Sequence, residues 1–305
     1  MYDVIVAGGG PAGLTAALYA ARAGKDVLVL EGESTGGQIQ YSPLVDNYPG
    51  LPGMSGSQFA QTLTQQAQDL GVHIRMEEVT FLRTRDGLLE LTTPQGRYSA
   101  PALVLATGVS HRKLGLAGED ELIGLGVSYC AVCDGAFYQG RPVAVVGGGD
   151  TALQEALFLS ARCSKVTLIH RRDLFRGESR LVEQLRQRDN VEFLLSSTVE
   201  ALHSGPEGLT GVTVRDVKTG KTLELPVDGL FVAVGQEPHS QVFSTLVMTD
   251  EGGYFLAGED CATSLPGVFA AGDCRVKSVR QLTTAVGDGA VAGLAASRYV
   301  DLRQS

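Results

Sequence analysis

A glycine-rich turn between an apolar strand and a helix occurs twice in this chain, and it constrains the fold more than any other feature. The two turns read Gly8-Gly9-Gly10-Pro11-Ala12-Gly13 and Gly147-Gly148-Gly149-Asp150-Thr151-Ala152. The surrounding patterns predict strand, helix and strand at residues 3–7, 11–23 and 26–31, and again at 142–146, 150–162 and 165–170. The repeated order predicts two βαβ units related by internal duplication.

Two later apolar runs, 102–106 and 229–234, each lead into a polar segment that contains glycine or proline, which is typical of strands that cross between domains. We therefore predict an α/β fold with two Rossmann-like, three-layer ββα nucleotide-binding domains. The second domain, 112–240, is predicted to be inserted into the first, 1–111 and 241–305. A strand at 267–273 and a helix at 281–299 are predicted to complete the first domain.

The amino-acid composition and net charge limit the kinds of molecule that this protein could bind. The chain has 305 residues, of which 44% are hydrophobic, so it is long enough and apolar enough to bury a core in two domains. Its net charge of −9 gives no general attraction to nucleic acid or to anionic lipid. We see no basic leader and no apolar run long enough to cross a membrane, and we expect a cytoplasmic protein without nucleic-acid or membrane partners.

The first turn has the spacing of a dinucleotide site. Gly8 permits a tight turn, Gly10 lets the backbone approach a pyrophosphate, and Gly13 allows the helix to pack closely on the strand. Glu31 ends the next predicted strand, where a carboxylate accepts hydrogen bonds from a ribose diol and repels a 2′-phosphate. This favours FAD or NAD over NADP. Gly272-Asp273 is a candidate second contact with the same cofactor, with a simple turn aspartate as the alternative.

The second turn differs at the position that selects the nucleotide. Its next strand ends at His170-Arg171-Arg172, and Arg176 follows four residues later. Guanidinium groups suit bidentate contacts with phosphate, so we predict NADPH here in preference to NADH. The alternative is an ordinary exposed basic helix start.

Cys130 and Cys133 are the only two of five cysteines that lie close together in the sequence. In a reducing compartment this spacing favours a redox or metal pair over a structural disulfide framework. Zinc would need further ligands, and Cys163, Cys261 and Cys274 are scattered singly, so we predict no metal. Asp134 is a candidate proton donor to a thiolate or a flavin, and a turn or cap aspartate is the alternative.

Together these motifs resemble the low-molecular-weight thioredoxin reductases of the bacterial and plant type over essentially the whole chain. The most specific match is Cys130-Ala131-Val132-Cys133-Asp134-Gly135. The resemblance implies FAD contacts from Gly8, Gly10, Pro11, Ala12, Gly13, Glu31, Gly37, Gln38, Asn47, Thr107, Gly108, Gly272, Asp273, Arg280, Gln281, Thr284 and Ala285. It implies NADPH contacts from Gly147, Gly149, Asp150, Thr151, Ala152, His170, Arg171, Arg172 and Arg176.

The resemblance also implies roles and partners. Cys133 would be the thiol near the flavin, Cys130 the thiol that attacks a thioredoxin-like partner, and Asp134 the acid. Members of the family are homodimers. In each subunit the NADPH domain rotates about the two segments that connect it to the FAD domain, which correspond to residues near 108–112 and 235–239 here.

Three alternatives remain open at this stage. Relatives reduced by ferredoxin share the scaffold. Because the run 275–280 is basic, an acidic protein remains an alternative to NADPH as the electron donor. A flavin-dependent dithiol oxidase needs FAD and the cysteine pair but no 2′-phosphate site, and Arg171, Arg172 and Arg176 argue against it. A redox sensor would not need two complete cofactor sites. Cys274 has no assigned role.

Overall fold

The chain forms two compact units in a computed structural model that describes residues 1–42 and 44–304. Unit 1 consists of Met1–Ser110 and Glu237–Ser305, and unit 2 of His111–Gln236. The chain leaves unit 1 once and returns once. The predicted fold class, two α/β units with one inserted into the other, is confirmed.

The elements alternate as expected for this class. The strands are β1 (Val4–Ala7), β2 (Val27–Glu31), β3 (His73–Met76), β4 (Phe81–Arg85), β5 (Leu88–Thr93), β6 (Gly96–Ala100), β7 (Ala102–Leu105), β8 (Val109–His111), β9 (Val127–Ser128), β10 (Pro142–Gly147), β11 (Lys165–Ile169), β12 (Val191–Leu194), β13 (Ser197–Gly205), β14 (Gly208–Asp216), β15 (Thr222–Leu225), β16 (Gly229–Ala233), β17 (Gln236–Pro238) and β18 (Val268–Ala270). The helices are α1 (Pro11–Arg22), α2 (Gly56–Asp69), α3 (Ala131–Asp134), α4 (Asp150–Ser160), α5 (Ser179–Arg186) and α6 (Leu282–Gln304).

Unit 1 has three layers around a five-stranded parallel sheet of order β18-β7-β1-β2-β3. Successive residues of β1 point to opposite faces, and both faces are buried. Val4 and Val6 pack with α1 and α6, whereas Ile5 packs toward the antiparallel sheet β4-β5-β6. Strand β18 pairs with β7, which confirms that the end of the chain completes this unit.

Unit 2 repeats the plan with a parallel sheet of order β12-β11-β10-β16-β9. The strand that enters its glycine turn, β10, lies at the centre, as β1 does in unit 1. Val143 and Val145 face α4, whereas Ala144 and Val146 face the antiparallel sheet β13-β14-β15. The shared order of four strands, β7-β1-β2-β3 and β16-β10-β11-β12, agrees with the duplication predicted from the sequence, whereas the fifth strand is the last in unit 1 and the first in unit 2.

The last helix is longer than predicted. It begins at Leu282 and continues to Gln304, because Val300, 1% exposed, still packs into the core of unit 1. Within the described part of the chain, no helix is both long enough and apolar enough to cross a membrane.

Helices α1 and α6 approach closely because both carry small residues at the contact. A Cβ on Gly293 would overlap the backbone of Ala16, and a Cβ on Gly289 would overlap the backbone of Ala12. Gly287, by contrast, faces open space with no atom within 4 Å of its Cβ position. Replacing Gly293 by alanine therefore tests the packing of α6 on α1, whereas replacing Gly287 by alanine tests only the helix propensity of α6.

We predict that Gly293→Ala lowers the free energy of unfolding by roughly 1–3 kcal/mol, because the rigid backbone of α1 must move away. Gly287→Ala is the matched control, and we expect it to raise the free energy of unfolding by about 0.5–1 kcal/mol through helix propensity. Urea unfolding followed by far-ultraviolet circular dichroism measures both. Equal effects of the two substitutions would contradict the close helix contact.

Candidate functional site

The first glycine turn leaves room for a ligand where α1 begins. A Cβ on Gly8, whose φ is +106°, would overlap the carbonyl oxygen of Ala106, and a Cβ on Gly13 would overlap that of Gly8. Gly10 has no atom within 4 Å of its Cβ position, and no side chain caps the helix that follows it. The first backbone N–H groups of α1 are therefore available to an anion such as a pyrophosphate.

Glu31 lies at the end of β2, as predicted, and its carboxylate is fixed by the backbone. Its Oε2 accepts the N–H of Gly9 at 2.6 Å, and its Oε1 accepts the N–H of Glu33 at 2.8 Å. Each carboxylate oxygen has a further lone pair. The arrangement suits a ribose diol, as the sequence pattern indicated.

Distant predicted residues of unit 1 meet through side-chain hydrogen bonds. Asn47 donates from Nδ2 to Oε1 of Gln281 at 3.1 Å, and Thr284 Oγ1 accepts the N–H of Gln281 at 3.1 Å. Gln38 donates to the carbonyl oxygen of Val109, just beyond Thr107 and Gly108 at the end of β7. Two pairs of segments that are distant in the sequence are thus brought into contact.

Asp273 has a buried carboxylate oxygen that needs a partner. Its Oδ1 has no hydrogen-bond partner among the described residues. Burial raises the pKa of Asp273, and the charges of Lys277 and Arg280 oppose that rise. A buried polar atom without a partner is costly, so it indicates a polar group of a ligand. With the open Gly10 turn and Glu31, this atom fits a bound FAD.

Asp288, on α6, is a residue that the sequence analysis missed. Its carboxylate pairs with Arg275 at 2.8 Å and Lys277 at 2.8 Å, and it accepts the N–H of Gly272 at 3.0 Å. The Arg275, Lys277 and Asp288 side chains are only 8%, 7% and 11% exposed. These two cations of the basic run therefore hold the Gly272-Asp273 turn in place and offer no surface to an acidic donor.

We predict that Asp288→Asn costs about 3–5 kcal/mol of unfolding free energy at neutral pH, because it leaves two buried cations without their carboxylate. Burial alone would raise the pKa of Asp288, but Arg275 and Lys277 hold it below its usual value. A lowered pKa in the folded state stabilises the fold above the unfolded pKa of about 4 and loses that contribution as pH falls through the folded pKa.

The difference between Asp288→Asn and the parent chain should therefore shrink as the pH of the denaturation experiment falls below about 4. Asp301→Asn, on the same helix, is the control. Asp301 pairs with Lys25 and is itself 62% exposed, so water screens its charge and its loss should cost less, about 0–1 kcal/mol. A difference for Asp288→Asn that did not depend on pH would contradict the ion pairs.

The second glycine turn, in unit 2, has the same construction as the first. A Cβ on Gly147 would overlap the carbonyl oxygen of Ala233, whereas Gly149 faces open space and α4 has no side-chain cap. Asp150 accepts the N–H of Glu178 on Oδ1 at 2.7 Å, and Gly148 accepts the N–H of Arg176 at 2.7 Å. These bonds bring Arg176 to the turn.

His170 and the arginines take different positions at the end of β11. His170 is buried and stacks on Phe175, with 5.3 Å between ring centroids. Burial lowers the pKa of His170, and the three nearby arginines lower it further. Arg171, Arg172 and Arg176 are exposed, and none pairs with a carboxylate of the described residues. Three unpaired guanidinium groups beside a helix start suit NADPH, which carries a 2′-phosphate.

Cys130 and Cys133 form a disulfide across the first turn of α3, with 5.3 Å between their Cα atoms. Cys130 caps the helix, and its Sγ accepts the N–H of Cys133 at 3.2 Å. Cys133 is exposed, whereas Cys130 is half-buried. The amide favours a thiolate at Cys130, and exposure favours Cys133 as the sulfur that a macromolecular partner reaches.

Asp134 lies at the end of the same helical turn. Its Oδ2 accepts the hydroxyl of Ser128 at 2.6 Å, and the Ser128 oxygen accepts the N–H of Cys130 at 3.1 Å. Burial raises the pKa of Asp134, and the Ser128 hydroxyl partly opposes that rise. A carboxyl that keeps its proton to higher pH, one hydroxyl away from the cysteine backbone, is suited to proton donation.

The other three cysteines are buried and free. Cys274 donates its S–H to the carbonyl oxygens of Ala271 at 3.3 Å and Leu105 at 3.5 Å, and burial raises its pKa. It therefore packs as a neutral thiol behind the Gly272-Asp273 turn. Among residues 1–42 and 44–304, no group of three or more His, Cys, Asp or Glu side chains is placed to hold a metal ion.

Comparison with known proteins gives a consistent result. Residues 2–289 match the family model described as pyridine nucleotide-disulphide oxidoreductase. A thioredoxin reductase of Listeria monocytogenes is 42% identical over 99% of this chain and 94% of its own length. A bifunctional thioredoxin reductase/thioredoxin of Mycobacterium leprae is 44% identical over 98% of this chain and 66% of its own length. The crystal structure of thioredoxin reductase from Streptococcus pyogenes matches 99% of both chains with a TM-score of 0.95 and 38% identity.

Proposed function

Because this chain belongs to the thioredoxin reductases of the pyridine nucleotide-disulphide oxidoreductase family, we propose that it uses NADPH to reduce its Cys130–Cys133 disulfide and then a thioredoxin-like protein. Enzymes of this family are FAD-dependent oxidoreductases. The observation that carries the proposal is a disulfide held next to a half-buried Asp134, whose pKa burial raises, in a chain with two open glycine turns.

FAD would bind in unit 1 and would supply the two-electron chemistry that links NADPH to the disulfide. Gly8, Gly10 and Gly13 would form the turn for its pyrophosphate, with Pro11 and Ala12 starting the helix beneath it. Glu31 would hold the ribose, and Asp273 would take a hydroxyl of the ribityl chain. The remaining proposed contacts come from Gly37, Gln38, Asn47, Thr107, Gly108, Gly272, Arg280, Gln281, Thr284 and Ala285.

NADPH would bind in unit 2. Gly147 and Gly149 would leave space for its pyrophosphate at the start of α4, with Asp150, Thr151 and Ala152 forming the first turn of that helix. Arg171, Arg172 and Arg176 would bind the 2′-phosphate. His170, buried and neutral, would support the loop that presents the arginines.

The cysteine pair would pass electrons to the partner by dithiol–disulfide exchange. One thiolate attacks a sulfur of the partner disulfide, a mixed disulfide forms, and the other partner sulfur leaves as a thiolate that takes up a proton. The second cysteine then loses its proton and attacks the mixed disulfide, which restores Cys130–Cys133 and releases the partner as a dithiol. Asp134 would supply or accept the proton at this site. The fused thioredoxin of the Mycobacterium leprae relative supports a thioredoxin-like partner.

We further propose a cytoplasmic homodimer. In addition to the redox pair, the chain has three buried cysteines that form no disulfide, which is typical of proteins in a reducing compartment. The homodimer is what the resemblance to thioredoxin reductases implies, and exposed apolar side chains of unit 1 such as Tyr41, 67% exposed, and Phe81, 52% exposed, would be available for that contact. Sedimentation equilibrium of the flavin-loaded protein measures the oligomeric state.

We predict that anaerobic NADPH bleaches the flavin absorbance rapidly and that NADH does so much more slowly. Arg172→Ala combined with Arg176→Ala should raise the NADPH concentration for half-maximal bleaching rate at least roughly tenfold, because two charge-assisted contacts with the 2′-phosphate are lost. The values for NADH should hardly change.

Arg188→Ala removes an exposed arginine of the same unit and is the control. Equal bleaching by both nucleotides would contradict the proposed arginine site. Bleaching by dithiols alone would point instead to a dithiol oxidase, and bleaching by reduced ferredoxin alone to the ferredoxin-dependent relatives.

We predict that Cys130→Ser and Cys133→Ser each abolish thioredoxin reduction while NADPH still bleaches the flavin, since each variant lacks one sulfur of the exchange. The variant that keeps the attacking thiol should accumulate a mixed disulfide with a thioredoxin that lacks its resolving cysteine and carries its remaining cysteine as a disulfide with 2-nitro-5-thiobenzoate, which leaves as a coloured thiolate. Non-reducing electrophoresis identifies that variant and so decides between the amide-stabilised Cys130 and the exposed Cys133. Normal turnover of thioredoxin by either variant would overturn the proposed function.

A further inference from the structure

We propose that Glu155, whose carboxyl is held against the backbone between the two cysteines, controls how readily the reduced Cys130–Cys133 pair ionises, an inference that rests on the dithiol chemistry proposed above. Glu155 lies on α4, the helix that starts at the second glycine turn. It acts through its charge and through the backbone between the cysteines, and is therefore a positioning residue.

The contacts of Glu155 place its carboxyl against α3. Its Oε1 accepts the N–H of Ala131 at 3.3 Å, and Ala131 is the fully buried residue that directly follows Cys130. Its Oε2 is shielded from solvent and has no hydrogen-bond partner among the described residues. One oxygen thus contacts the redox turn, and the other lies where a negative charge is costly because neither water nor a protein donor solvates it.

Among the described residues, no cation is close enough to lower the pKa of this carboxyl. Helix α5 presents Leu181 and Leu185, and the sheet presents apolar residues such as Val143, Val145 and Phe231. On the side of α3, the charged group that acts on it is Asp134, which is also acidic. The charge environment therefore opposes ionisation of Glu155.

Burial raises the pKa of Glu155 to about 7, Asp134 adds to the rise, and the Ala131 amide partly opposes it. The group consequently changes charge within the range in which the thiols must also ionise. This titration is the property that distinguishes Glu155 from a carboxylate that serves only as a structural acceptor.

The consequence for the cysteines follows from charge. Two electrons break the S–S bond and produce two thiolates, which take up two protons to become thiols, and the exchange with a partner requires one thiol to lose its proton again. When Glu155 is ionised, it opposes deprotonation of the thiol, because the thiolate would be a second negative charge close to the first. A protonated Glu155 has no such effect. Glu155 therefore raises the thiol pKa at and above neutral pH.

The test measures thiol ionisation directly. The flavin-loaded enzyme is reduced with dithiothreitol without oxygen and desalted, and its reaction with iodoacetamide is followed from pH 5.5 to 9 by mass spectrometry at Cys130 and Cys133. We expect Glu155→Gln to lower the apparent pKa of the more reactive thiol by roughly one unit, which is about tenfold more thiolate below that pKa.

Two further variants separate charge from packing. Glu183→Gln removes an exposed carboxylate of unit 2 and should leave the alkylation profile unchanged. Glu155→Asp keeps the charge and should keep most of the raised thiol pKa. An unchanged profile in Glu155→Gln, or the same shift in Glu155→Gln and Glu155→Asp, would overturn the proposal.

The parent enzyme provides an independent measurement if Glu155→Gln does not fold. In protein labelled with ¹³C-glutamate, the infrared carboxylic-acid band of a protonated glutamate should disappear as pH rises through about 7 and should shift when the disulfide is reduced. Absence of such a band would overturn the proposal. Neither measurement uses NADPH or thioredoxin, so a failure of this inference is distinguishable from a failure of the proposed function.

Discussion

Backbone contact at the glycine turns is the constraint on which the rest of the structure depends. In each unit the strand at the centre of the sheet turns directly into a helix, and the first glycine of the turn lies against the carbonyl oxygen that ends the neighbouring strand, Ala106 or Ala233. No side chain fits between these backbones. The close contact sets the helix start against the carboxyl end of the sheet, where a ligand phosphate meets uncapped N–H groups.

The two units handle buried carboxylates in opposite ways. In unit 1, Asp288 is surrounded by two cations and a backbone amide, which hold its pKa low and fix its charge. In unit 2, burial and the nearby charge of Asp134 raise the pKa of Glu155 to about 7, and of the described residues only the Ala131 amide opposes that rise. The first arrangement favours a rigid turn, and the second favours a group that exchanges protons. A carboxyl group thus stabilises the structure in unit 1, whereas a carboxyl group in unit 2 can gain and lose a proton near neutral pH.

Much of the fold could be predicted from the sequence because it is encoded in local patterns. The strand–turn–helix order around Gly8 and Gly147 depends on neighbours within about thirty residues, and the elements lie close to their predicted positions. Glu31 could be placed because it ends a strand. Asp288 and Glu155 could not, since their importance comes from contacts with Arg275 and Ala131, at sequence separations of 13 and 24. A lone acid on a helix carries no signal of such contacts.

The interrupted course of unit 1 has a consequence for synthesis on the ribosome. Unit 2 is one continuous segment, so all of its strands and helices are available once residue 236 has left the ribosome. Unit 1 still lacks β18 and α6 at that moment, and its sheet edge at β7 and the small-residue face of α1 are uncovered. Domains fold as units as they emerge. The inserted unit therefore completes its fold first, while the unit that begins the chain waits for its last strand and helix.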